Sequence, residues 1–127
     1  MAGAAFSKDS DHDGGKPHAN LYGGPGTINL RYFSFAQAAR PANFVLYDIP
    51  PGAGEGVHTH RLGDPQVGPF DEYYYIIQGQ GRMEIDGQPV DVRAGDHIHA
   101  PLGVAHGIVN TAPTEILKVF VTFIDRS

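Results

Sequence analysis

The residues of this chain whose types and spacing could do chemistry are His58, His60, Glu72 and His106. His58 and His60 are separated by one residue within a segment of extended character. In a strand, residues i and i+2 point to the same face, so both imidazoles project together. They can then bind one ion through nitrogen at ~2.1 Å. Glu72 begins an aromatic, β-branched segment and adds a hard anionic oxygen. His106 follows Pro101-Leu102-Gly103, a turn that can bring a third imidazole back over the same sheet face. The chain has no cysteine, so any metal must rest on nitrogen and oxygen ligands. Three imidazoles and one carboxylate suit Mn, Fe, Zn, Ni or Co. On an octahedral ion this set leaves two positions open for water, dioxygen or a bidentate substrate.

The elements that must position these side chains read as short strands. The 17 glycines and 10 prolines lie between apolar segments rather than in one tract, which is the punctuation of tight turns. Extended segments are expected at residues 27–35, 44–49, 57–61, 73–77, 82–85, 90–92, 97–100, 106–110 and 115–124. Asp86-Gly87 between alternating segments predicts a hairpin, because both central turn residues need positive φ. The one helix-compatible stretch, Ala36 to Ala39, is too short to stand alone. This pattern predicts a single all-β antiparallel sandwich or barrel over residues 21–127. Residues 1–20 are small, polar and aperiodic, and predict a flexible N-terminal tail that docks at its end, with His12 and His18 solvated.

Glycines and prolines around the four residues carry a resemblance to a known family. Gly52, five residues, His58-Thr59-His60, then Glu72, six residues and Gly79 resembles the first cupin motif. Gly95, five residues, Pro101-x-Gly103, two residues, His106, three residues and Asn110 resembles the second cupin motif at every fixed position. The resemblance implies an antiparallel jelly-roll β-barrel with His58, His60, Glu72 and His106 holding one divalent transition-metal ion in the barrel mouth. It also implies a homodimer. The chain departs from the family in the eleven residues from Arg61 to Asp71 between the second histidine and Glu72, where the family has three or four. This turn-rich insertion is expected near the barrel mouth, where Asp64, Gln66 or Phe70 could cover a substrate. Asp71 is a competitor for the role of Glu72, shifted by one residue and so pointing to the opposite face.

Parity from Glu72 puts Tyr74 and Ile76 inward, with Tyr73 and Tyr75 outside or in an interface. Tyr74 is a candidate catalytic residue, as a hydrogen-bond donor in the pocket. His97 and His99 share a face. If that face is the interior, His99 is a second catalytic candidate, as an extra ligand or general base; if it is the outer face, both are solvent or interface residues. Arg31, Arg82 and Arg93 lie in the strand region, and one facing the metal would bind a substrate carboxylate in bidentate fashion. The aromatic content is high for a small barrel, and Phe33, Phe35, Tyr73 and Tyr75 are expected at an interface between subunits.

The net charge of −5, with nine scattered Lys and Arg, argues against a nucleic-acid partner. No apolar run approaches the ~20 residues of a membrane span, and the N-terminus has no signal-peptide pattern, so a cytoplasmic location is expected. The function expected is a metal-dependent enzyme acting on a small oxygen-bearing molecule, of dioxygenase or of isomerase, lyase or cyclase type. The alternative is a non-catalytic binding or sensor cupin.

Overall fold

The computed structural model describes residues 6–33, 35 and 43–127; the helix-compatible stretch Ala36 to Ala39 lies outside the described residues. Ten strands follow in chain order: β1 Lys16–Ala19, β2 Thr27–Tyr32, β3 Phe44–Ile49, β4 Gly54–His58, β5 Phe70–Gln78, β6 Gln80–Ile85, β7 Gln88–Arg93, β8 His97–Ala100, β9 His106–Asn110 and β10 Leu117–Asp125. They form a six-stranded sheet in the order β1-β2-β3-β10-β5-β8 and a four-stranded sheet in the order β4-β9-β6-β7. Every pairing is antiparallel. The two sheets close over one core, giving the jelly-roll barrel that the family resemblance implies.

The core comes from alternate residues of both sheets. Ile28, Val45, Ile49, Ile76, Val119 and Val121 from the large sheet meet Met83, Val92 and Ile108 from the small one. Burying each such side chain contributes roughly 1.5–3 kcal/mol. Asp86 and Gly87 have φ of 52° and 77°, the two positive values that a two-residue hairpin between β6 and β7 demands. Asn110 ties separate segments together: its amide nitrogen donates to the carbonyls of Ile49 and Glu115, and its oxygen accepts from the Ala112 amide.

Most strand boundaries differ from expectation by a few residues, and three differences matter for the site or the sheet edge. Strand β2 ends at Tyr32 rather than Phe35, whose φ of 47° breaks the extended run. Strand β4 occupies Gly54–His58 rather than residues 57–61, so His60 lies just past its end. The N-terminal segment docks as expected, and it does so as a strand: Lys16–Ala19 pairs with β2 at the sheet edge. All four residues of β1 are exposed, so backbone pairing alone holds it and no apolar alternation announces it.

Candidate metal centre

Strands β4 and β9 are neighbours, and His58 stands directly across from His106. Their ring centroids are 4.5 Å apart. The register of this pair shifts between Glu55 and His58, and that irregularity lets both residues face the interior despite their odd spacing. Gly103 has φ of 88°, a value that favours glycine, and its amide donates to the His60 carbonyl at 2.8 Å. The turn before His106 is thereby fastened to the segment bearing His60. Glu72 comes from β5 in the opposite sheet and points in between the imidazoles.

The result is a cluster in which one ligand atom from each of His58, His60, Glu72 and His106 lies within 4.8 Å of the others. Glu72 Oε1 contacts His60 Nε2, lies 3.1 Å from His106 Nε2 and 3.7 Å from His58 Nε2. Each imidazole donates its Nδ1–H to a backbone carbonyl: His58 to Gly56 at 2.8 Å, His60 to Val67 and Gly68 at 2.9 and 3.0 Å, His106 to Val104 at 3.0 Å. That fixes the tautomer and turns all three Nε2 lone pairs inward, as metal-binding histidines require. His58 Nε2 is buried without a hydrogen-bond partner. A buried acceptor left this way is costly, and a metal ion at the centre of the cluster would satisfy it. The residues fit a divalent ion.

The electrostatics follow from this geometry. Burial acts to raise the pKa of Glu72, but the facing imidazoles of His106, His58 and His60, when they carry a proton on Nε2, outweigh it and hold the carboxyl well below the usual carboxylate range. Burial acts to lower His60, but the hydrogen bond and charge of Glu72, with the Gly68 and Val67 carbonyls, raise it overall. His106 is raised in the same way, against its burial, by Glu72 and the Val104 carbonyl. Protons and a metal ion thus compete for the same nitrogens.

The eleven-residue insertion has a physical role. Asp64 Oδ1 accepts from the amides of Gln66 and Val67 at 2.9 and 3.3 Å, folding the loop so that its carbonyls reach His60. Phe70 packs 5.5 Å from the His60 ring, whereas Gln66 is exposed. Asp71 turns away from the cluster to accept from the Leu102 amide at 2.7 Å and from Arg126 at 2.6 Å.

Tyr74 faces inward, as parity predicts, and is 1% exposed. Its hydroxyl donates to Glu55 rather than into a cavity. Beside Glu72 lies a small cavity of about 60 Å³, lined by the phenols of Tyr22, Tyr32 and Tyr47 and by Val45, Phe70 and Phe123. Besides His60 and Glu72, the polar residues lining this pocket are therefore three other tyrosines, which spacing did not single out. Tyr22 also stacks on His58 with ring centroids 3.7 Å apart. Gly56 makes that approach possible, because a Cβ there would lie 2.0 Å from the Tyr22 carbonyl oxygen. Glu55, likewise missed, is buried and accepts from both Tyr74 and Tyr47, the latter at 3.0 Å. Burial raises its pKa against the neighbouring His58.

His99 is a correction. Strand β8 presents Ile98 and Ala100 inward, so His97 and His99 lie exposed on the outer face. There His99 stacks on Tyr73 and His97 packs on Tyr75, with centroids 4.5 and 4.4 Å apart. It is neither a ligand nor a base for the interior site. No arginine of the expected three turns to the cluster either: Arg31 pairs with Asp9, Arg82 pairs with Asp91, and Arg93 is exposed. Of the expected set, Phe33 is buried against Phe44, Phe35 is half-buried against both of them, and Tyr73 and Tyr75 are exposed.

Among the described residues no helix is long and apolar enough to cross a membrane. The chain is 31% identical over 100 residues to the oxalate-binding protein of Thermotoga maritima, covering 77% of both. It is 31% identical over 84 residues to the dimethylsulfoniopropionate lyase DddW of Ruegeria pomeroyi, covering 66% of this chain and 51% of that one. A solved structure of a predicted oxalate decarboxylase from Thermotoga maritima superposes with a TM-score of 0.73 at 29% identity, over 87% of this chain and 90% of that one. A cupin-domain family model matches residues 45–123, and the chain belongs to the cupin family.

Proposed function

We propose that this chain is a metal-dependent cupin enzyme that carries out a non-oxidative reaction, of lyase, isomerase or cyclase type, on a small oxygen-bearing molecule. The observation that carries the reading is the set of three imidazoles whose Nδ1 atoms are all held by backbone carbonyls while their Nε2 atoms converge on Glu72. His58, His60, His106 and Glu72 would hold the ion. A bound divalent ion supplies Lewis-acid polarisation of a substrate oxygen and, where redox-active, supports dioxygen chemistry. Tyr22 and Tyr32 border the cavity with raised pKa values, mainly through burial, and so stay protonated as donors to a substrate oxygen. Phe70, Phe123 and Val45 keep the cavity wall apolar and limit water. Tyr74 acts at one remove, as a positioning residue for Glu55. The lyase activity in the name of a relative favours the non-oxidative branch over the dioxygenase one.

The binding function in the name of another relative favours a second reading, a non-catalytic small-molecule binder. Mn(II)- and Fe(II)-loaded protein incubated with small hydroxy and keto acids in D2O separates the two. Exchange or elimination seen by NMR without oxygen uptake supports the enzyme. Stoichiometric ligand binding without turnover supports the binder, and oxygen uptake supports the dioxygenase branch. Absence of metal uptake overturns all three. We also propose a homodimer, supported by the outer groove of about 430 Å³ that Tyr73, Tyr75, His97, His99 and Phe120 line on the large sheet.

A further inference from the structure

The cavity beside the metal cluster is lined by His60, Glu72 and the tyrosines Tyr22, Tyr32 and Tyr47, and no Lys or Arg is among its described lining residues. Behind one of those phenols sits Glu55, a carboxylate 4% exposed that the four-ligand cluster does not include. Both of its oxygens accept from tyrosines: Oε2 from Tyr47 and Oε1 from Tyr74. Two phenolic O–H groups converging on the two oxygens is the arrangement an ionised carboxylate asks for. The Tyr47 hydroxyl spends its one hydrogen on Glu55, so toward the cavity its oxygen can only accept. A divalent ion together with Glu72 and Glu55 makes a site with no net charge. A monoanion entering it would leave one net negative charge, and a dianion two, in a buried site beside Glu55.

We propose that this pocket selects a small hydroxy-carbonyl ligand carrying at most one negative charge and discriminates against dicarboxylates, with Glu55, acting through Tyr47, as the residue that sets the preference. The ligand chelates through a carbonyl or carboxylate oxygen and a hydroxyl, and the hydroxyl donates to Tyr47. Oxalate offers no donor to Tyr47 and brings a second charge. A neighbouring unit charge in a protein changes affinity on the order of tenfold or more. The inference rests on the metal-binding reading above and narrows its substrate class.

The test compares oxalate with glycolate, two chelators of similar size that differ in charge and in the donor hydroxyl. Uptake of Mn(II) is measured first by metal analysis, then each ligand is titrated calorimetrically into the Mn(II)-loaded protein and into aqueous Mn(II). The preference for oxalate over glycolate should be at least about tenfold smaller in the protein than for the free ion. Glu55→Gln, which removes the charge, should restore most of that factor. Tyr47→Phe, which keeps the ring and removes the acceptor, should weaken glycolate while leaving oxalate unchanged, and serves where Glu55→Gln does not fold. A protein preference equal to that of the free ion, or one that neither variant shifts, overturns the inference with the metal reading intact. A protein that takes up no Mn(II) overturns both.

Discussion

The inner and outer faces of strand β5 each set tyrosine beside histidine, in opposite physical states. Inside, Glu72 and Tyr74 look across to His58, His60 and His106, whose Nδ1 atoms are each bound to a carbonyl. Outside, Tyr73 and Tyr75 lie under His99 and His97, paired across the strands β5 and β8. The Tyr73–His99 rings are parallel to within 6°, a flat stack on a half-exposed surface. An imidazole becomes a ligand when one nitrogen is held and the other has convergent neighbours; the same residue laid flat on a phenol is surface packing. Spacing of i and i+2 is common to both pairs, so spacing alone does not separate them.

The largest way to break this comparison is to remove an inner imidazole and an outer one in parallel. His58→Ala or His106→Ala should lower metal affinity by more than about 100-fold, beyond what losing an outer partner of a ligand costs. His97→Ala should leave metal content unchanged. Metal analysis after dialysis against a graded chelator measures both, and equal losses on the two faces would end the distinction drawn here.

A second test uses pH. In the metal-free protein His60 and His106 have pKa values raised above their ordinary 6.5 by Glu72. A group raised in the folded state contributes stability that is full below its unfolded pKa and is lost as pH rises through the folded value. The metal-free protein should therefore melt at a lower temperature at pH 8 than at pH 6. Added metal competes with those protons, so the rise in melting temperature that it causes should be larger at pH 8. Thermal melts at the two pH values with and without Mn(II) check this, and a metal-free protein stabilised between pH 6 and 8 would contradict the assignment.

How far sequence alone reaches can be argued from these same residues. The strand β3, the Asp86-Gly87 hairpin and the four cluster residues are legible because local rules govern them: alternation, positive φ and motif spacing. Glu55 is not, because simple alternation from His58 puts it on the wrong face; the register shift between them reverses that. Flanking Gly54 and Gly56 are the signal that could have marked the irregularity. The orientation of His99 depends on its pairing with Tyr73, a long-range register that no local pattern records. The loop's hold on His60 runs through backbone carbonyls, which every residue owns and none advertises.

That hold gives a third, intermediate prediction. Asp64→Ala removes the carboxylate that folds the insertion against His60. Metal affinity should fall by about 10-fold, at the lower edge of what such supporting partners contribute. The stoichiometry should stay at one ion per chain. Competition with a fluorescent chelator reads the affinity, and an unchanged value would reduce the insertion to an ordinary surface loop.

The smallest effect on the metal centre should come from the outer face. His99→Ala removes one half of a cross-strand pair, a contact worth roughly 0.2–1 kcal/mol, and touches none of the four carbonyls that orient the inner imidazoles. Metal affinity should match the unaltered chain, and the melting temperature should fall by only a few degrees. Tyr75→Ser together with His97→Ser goes further, clearing aromatic surface from the groove on which the proposed homodimer rests. Sedimentation velocity should then show a shift from dimer to monomer while metal content stays at one ion per chain. A loss of metal on this face would mean that β5 transmits strain from Tyr75 to Glu72, three residues earlier on the same strand. An unchanged sedimentation coefficient would instead leave the outer histidines as solvent-facing packing alone.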